Sequence, residues 1–90
     1  MRIPLIVANW KMNLGPEEGL EVYRELRQRL AGVEGVEVVV CPPFVTLPVL
    51  AAATPGRGTR VELGAQDCHW APNGAYTGDV SAPMLRALCR

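Results

Sequence analysis

Three short strand-like segments, Ile3 to Ala8, Val36 to Cys41 and Arg60 to Ala65, are each followed by a segment with helix signals, the third after a long loop. The pattern switches from strand to helix three times in ninety residues. That alternation predicts an α/β fold: a parallel sheet joined by right-handed helical crossovers. Ile3 to Ala8 is apolar at nearly every position, as in a strand buried on both faces. Pro4 is tolerable there because the first residues of a strand need not donate to a ladder.

The helix signals are local and specific. Gly15-Pro16-Glu17-Glu18 opens a helix, with proline at the first helical position. Leu20, Tyr23, Leu26 and Leu30 then recur every three or four residues as one apolar stripe. Acids lead (Glu17, Glu18, Glu21) and arginines follow (Arg24, Arg27, Arg29), which suits the helix dipole and needs no partner. Gly32 is the expected stop. Thr46, with Pro48 in the first turn, is expected to cap a second helix running through Leu50 to Ala53. Thr54 to Gly58 reads as a loop. Ser81 is expected to cap a last helix through Met84, Leu85 and Leu88.

Ninety residues hold one small domain with a thin stability margin. Formal net charge is zero, so no broad field favours nucleic acid or an acidic membrane surface. No segment reaches transmembrane length, and the N-terminal apolar run is too short for a secretory signal. Cys41, Cys68 and Cys89 are odd in number and widely spaced, which reads as a reduced, cytoplasmic setting. Three parallel strands leave two open edges. Ile3 to Ala8 carries too few edge-blunting devices to stand free, so the chain reads as the opening portion of a larger closed sheet.

Eight of the nine basic residues are arginine; the lone lysine is Lys11, just past the first strand. An ammonium approaches one oxygen closely, where a guanidinium presents a planar fork. Asn9 lies two residues earlier, so on an ideal strand both side chains share one side. Such a pair suits a phosphorylated or enolate-forming substrate. By itself it also fits an exposed lysine beside a turn asparagine.

Four segments decide between these readings. Val7-Ala8-Asn9-Trp10-Lys11-Met12-Asn13, Cys41-Pro42-Pro43-Phe44, Gly64-Ala65-Gln66-Asp67 and Gly74-Ala75-Tyr76-Thr77-Gly78-Asp79-Val80-Ser81 follow one another in order. Together they closely resemble the triosephosphate isomerases, across essentially the whole chain. The resemblance implies a TIM (β/α)8 barrel, for which residues 1–90 supply the first three βα units of a single domain. Such barrels typically need roughly 250 residues. It further implies a homodimeric, cytoplasmic enzyme of glycolysis and gluconeogenesis that interconverts dihydroxyacetone phosphate and D-glyceraldehyde 3-phosphate through an enediolate, with no cofactor and no metal.

On that resemblance, Lys11 supplies a fixed cation to the substrate phosphate and the enediolate, and Asn9 donates a hydrogen bond. Both would sit at the barrel mouth, where barrel active sites form. Charge that builds on oxygen in the transition state is lowered most by groups already in place. Trp10 is expected to pack beneath the pair. Met12 is expected near the subunit contact, with a gap-filling core role as the alternative. The loop Gln66 to Val80, carrying Trp70 and Tyr76, would project into the partner subunit. Thr77 would there reach the partner's Asn9 and Lys11 region, with Tyr76 beside it and Gln66 at the third strand's end. The turns of that loop are expected at Pro72-Asn73-Gly74 and Gly78. Asp67 stands where the family commonly has asparagine, and Asp79 where it has glutamate. His69 falls in this loop and is read as neither acid–base group nor metal ligand. Cys41 and Cys89 are expected to be buried, inert thiols.

The resemblance also implies an electrophilic histidine in a Gly-His-Ser-Glu-Arg run, a glutamate base, a mobile lid and a glycine-rich phosphate cradle. None occurs in these ninety residues. The isolated chain is therefore expected to be inactive, because charge stabilisation without a positioned base moves no proton. The alternative is a non-catalytic fragment or assembly module that pairs with a complementing chain through its open edges.

Overall fold

The computed structural model describes residues 2–55 and 60–89. Its elements run β1 (Leu5–Asn9), α1 (Pro16–Arg29), β2 (Glu37–Cys41), α2 (Leu47–Ala52), β3 (Val61–Leu63) and α3 (Ala82–Leu85). The three strands form one parallel sheet in the order β1-β2-β3, with β2 in the middle. This is the strand–helix alternation expected from the sequence.

Register explains which residues make the core. Val38 pairs with Val61, and Val40 with Leu63. Side chains alternate along a strand, so these four share one face. All four are buried against Tyr23 of α1, Leu47 and Leu50 of α2, and Leu85 of α3. Leu20, Leu26 and Leu30 pack around that cluster, so the expected stripe on α1 is the one that faces inward. The opposite face carries Leu5 beside Glu37 and Val7 beside Val39. No helix covers it. Ile3, Leu5, Ile6 and Val7 are each more than half exposed, so β1 is open on both of its faces.

Side-chain hydroxyls tie the layers together. Tyr23 is fully buried. Its Oη lies 2.8 Å from Thr54 Oγ1 and donates to Val61 O at 3.2 Å, joining α1 to the end of α2 and to β3. Gly19 permits the close approach of α1 and α2, since a Cβ there would sit 2.6 Å from Thr46 Cγ2.

Several boundaries differ from expectation. Helix α1 ends at Arg29, capped by Leu30, whose N–H bonds back to Leu26 O. The left-handed turn falls at Gly35 (φ +81°), not at Gly32. Thr46 occupies the N-cap position of α2, but its side chain makes no cap bond there and donates instead to Leu14 O at 2.8 Å. Ser81 does cap α3, accepting from Met84 N at 3.5 Å. That helix is a short turn ending at Leu85, and Leu88 and Cys89 follow it bonded back to Leu85 O. The loop expected at Thr54 to Gly58 lies outside the described residues beyond Pro55.

Candidate functional site

All three strands end on the same rim. The ladder between β1 and β2 extends one residue beyond Asn9, with Trp10 N donating to Cys41 O at 3.1 Å. The chain then turns sharply. Lys11 takes φ +56° and Leu14 φ +69°, the only described non-glycine residues with positive φ. A left-handed L-residue costs roughly 1–2 kcal/mol, so two within four residues need support.

That support is visible atom by atom. Lys11 N donates to Asn9 Oδ1 at 2.9 Å. Asn13 Nδ2 donates to Trp10 O at 2.9 Å. Gln66 Nε2 donates to Lys11 O at 2.8 Å and to Cys41 O at 2.9 Å, so one amide nitrogen binds the strand-end backbones of β1 and β2. Thr46 Oγ1 holds Leu14 O. Each left-handed residue thus has its carbonyl held by a side chain from a later part of the chain.

The pairing of Asn9 and Lys11 therefore does not come from strand alternation. The strand stops at Asn9, and the two residues are locked by a local side-chain-to-backbone bond. With Oδ1 occupied, the amide hydrogens of Asn9 are the atoms left to meet a ligand. Lys11 is exposed and forms no ion pair among the described residues. Trp10 is half-buried, its ring resting 3.3 Å from where a Cβ on Gly19 would lie. It braces the turn against α1. Met12 is 95% exposed, so it fills no gap in the core of these ninety residues.

The loop from Gln66 to Val80 is folded on itself. His69 N donates to Val80 O at 2.7 Å, and His69 bridges to Ser81 in parallel. Gly74 (φ +139°) and Gly78 (φ +89°) make the expected turns. A Cβ on Gly74 would meet Tyr76 Cε2 at 2.8 Å, so only glycine fits beneath that ring. His69 stacks on Trp70, and Tyr76 meets both rings at a tilt; Trp70 is 85% exposed and Thr77 is exposed. Among the described residues no three His, Cys, Asp or Glu side chains converge as a metal site would require.

Cys41 is buried and Cys89 half-buried, and desolvation by burial pushes both thiols up; the charge of Cys41 adds to the effect at Cys89. Cys68 is exposed. The two hydrogen bonds donated by Gln66 and the redirected Thr46 hydroxyl were not legible in the sequence. The one signal for Gln66 was its place just past the third strand, beside the ends of the other two.

The family model for triosephosphate isomerase matches residues 4–89. The chain belongs to the triosephosphate isomerase family. It is 47% identical to the triosephosphate isomerase of Moorella thermoacetica over 100% of this chain and 35% of that protein. It is 46% identical to the one from Symbiobacterium thermophilum, with the same coverage. The crystal structure of triosephosphate isomerase from Bartonella henselae superposes with a TM-score of 0.78 at 37% identity, covering 98% of this chain and 35% of that one. The chain thus spans about a third of the length of the relatives it matches, and its open parallel sheet is the first three βα units of the family's TIM barrel. No helix among the described residues is long and apolar enough to cross a membrane.

Proposed function

We propose that residues 1–90 form the N-terminal part of one barrel domain of a triose-phosphate isomerase and contribute the charge-stabilising half of its active site. The substrate is a phosphorylated triose, interconverted between dihydroxyacetone phosphate and D-glyceraldehyde 3-phosphate in cytoplasmic glycolysis and gluconeogenesis. The Lys11 ammonium meets substrate and enediolate oxygens, and Asn9 Nδ2 donates beside it. The acid–base groups come from the remaining two-thirds of the barrel, so the chain alone turns over no substrate. In the assembled homodimer, Met12, Gln66, Tyr76 and Thr77 lie at or beside the subunit contact. No cofactor takes part.

The observation that carries this reading is the pinned left-handed turn at Lys11. A surface lysine needs no strained backbone, and strain of this kind collects at functional sites. The exposed β1 favours a second, compatible role, in which the ninety-residue chain acts as a non-catalytic module that pairs with a complementing chain. Mixing it with the C-terminal two-thirds of the Moorella protein tests both. Isomerase activity in the mixture, absent from either part, is the expected result. A stable complex with no activity supports the assembly role alone; no complex defeats the assembly role, and absence of activity from the fused chain as well defeats the isomerase reading.

A further inference from the structure

Gly19 of α1 is a socket in which three distant parts of the chain meet. A Cβ there would lie 2.6 Å from Thr46 Cγ2, 3.2 Å from Leu14 O and 3.3 Å from the Trp10 ring. Trp10 and Leu14 flank Lys11 in the chain, so both ends of its turn rest on the same spot of the helix. Only glycine leaves room for all three.

Thr46 is the wedge in that socket, and it is fully buried. Its own backbone is anchored on both sides. Thr46 N donates to Pro43 O at 2.9 Å, and Thr46 O accepts from Val49 N and Leu50 N at 3.1 Å each. Its methyl enters the socket, and its hydroxyl donates to Leu14 O at 2.8 Å. At the head of a helix a threonine hydroxyl ordinarily serves the N–H groups of that helix. Here it serves a left-handed residue of another loop, Leu14 at φ +69°. Leucine disfavours that conformation, so without the hydroxyl the turn relaxes and carries Lys11 with it. Gln66 holds the Lys11 carbonyl from the sheet side; Thr46 holds the turn from the helix side.

We infer that Thr46 is a positioning residue for Lys11: it touches no substrate, and through Leu14 and the Gly19 socket it fixes where the ammonium stands. The inference rests on the charge-stabilising role of Lys11 proposed above, and it assigns part of that role to the contact between α1 and α2. A group that stabilises transition-state charge works by being already in place, so what holds the turn enters the rate.

The test is a double-mutant cycle on kcat/KM in the barrel completed by the C-terminal two-thirds of the Moorella enzyme, assayed below the melting transition of every variant. Thr46→Val keeps the shape of the side chain and removes the hydroxyl. It should lose about tenfold, inside the hundredfold or so that roughly 1 Å of misplacement costs. Thr46→Ala also lacks the hydroxyl and crowds nothing, so it should show the same loss even if valine disturbs the packing. Thr46→Ser keeps the hydroxyl and should retain most of the activity. In a Lys11→Ala background Thr46→Val should cost less than about twofold, because residues that act through one another are not additive. Thr46→Val and Thr46→Ala barrels as active as the parent, a Thr46→Ser barrel as poor as Thr46→Val, or an equal loss with and without Lys11 would each overturn the inference and leave the isomerase reading standing. An active barrel indifferent to Lys11→Ala would defeat the charge-stabilising role itself, and the positioning role with it.

Discussion

Gln66 holds two carbonyls with one nitrogen, at Lys11 and at Cys41. Gln66→Ala leaves both without that donor and should cost about 1–3 kcal/mol in a denaturant melt. In a completed barrel it should also lower kcat, because a misplacement of roughly 1 Å at Lys11 costs up to about a hundredfold. Gln66→Glu keeps the length but removes the donor, so it should fail in the same way. The thiols give a separate readout. Burial holds Cys41 and Cys89 protonated, while unfolded thiols ionise near pH 8.5, roughly. Stability unaffected below that range should therefore fall as pH rises through it, because unfolding then releases protons. Urea midpoints between neutral and alkaline pH check this, and a Cys41→Ala, Cys89→Ala variant should flatten the slope. Asn9 and Lys11 could be singled out in the sequence because the motif around them is dense. The left-handed backbone could not, since no glycine or asparagine stands at Lys11 or Leu14 to signal it.

Among the elements, the strands and the face of α1 were readable because burial imposes a period on the sequence. Their ends were less so. Helix α1 stops at Arg29 with Leu30 as its C-cap, and the left-handed turn that the sequence suggested at Gly32 falls at Gly35, the next glycine in the chain. Thr46 looked like a cap and acts as a brace for Leu14: its backbone is already helical (φ −92°, ψ −30°) where a capping residue is extended, and its hydroxyl donates to a carbonyl 32 residues away in sequence. The contact of α1 with α2 predicts its own test. Gly19→Ala gains up to about 1 kcal/mol of helix propensity. It also drives a Cβ to within 2.6 Å of Thr46, an overpacking penalty of about 1–3 kcal/mol. A lower melting temperature is the expected outcome, and Thr46→Ser in the same chain should recover part of it by removing the opposing methyl. Tyr23→Phe removes the hydroxyl that meets both Thr54 Oγ1 and Val61 O and should cost about 1–3 kcal/mol, with no change in the fold by circular dichroism.

The molecule as a whole is an open sheet with one covered face. Parallel sheets elsewhere are covered on both faces, and here Leu5, Ile6 and Val7 meet solvent at more than half exposure. A parallel strand of that composition at a free edge templates association. The chain alone should therefore sediment with a concentration-dependent mass, and Leu5→Lys with Val7→Lys should shift it toward monomer. That incompleteness was legible in the sequence, from the apolar first strand and the absent closing elements. Which residues close the site was legible only through family resemblance. The central claim is that Lys11, fixed at the rim by a strained turn, stabilises charge in a phosphorylated triose. The direct measurement replaces the matching N-terminal third of the Moorella enzyme with residues 1–90 and compares kcat/KM for the chimera and its Lys11→Ala variant. The account predicts an active chimera that loses about 10²–10³-fold or more on substitution, the worth of a preorganised charge-stabilising group. An active chimera whose kcat/KM is unchanged by Lys11→Ala would contradict it.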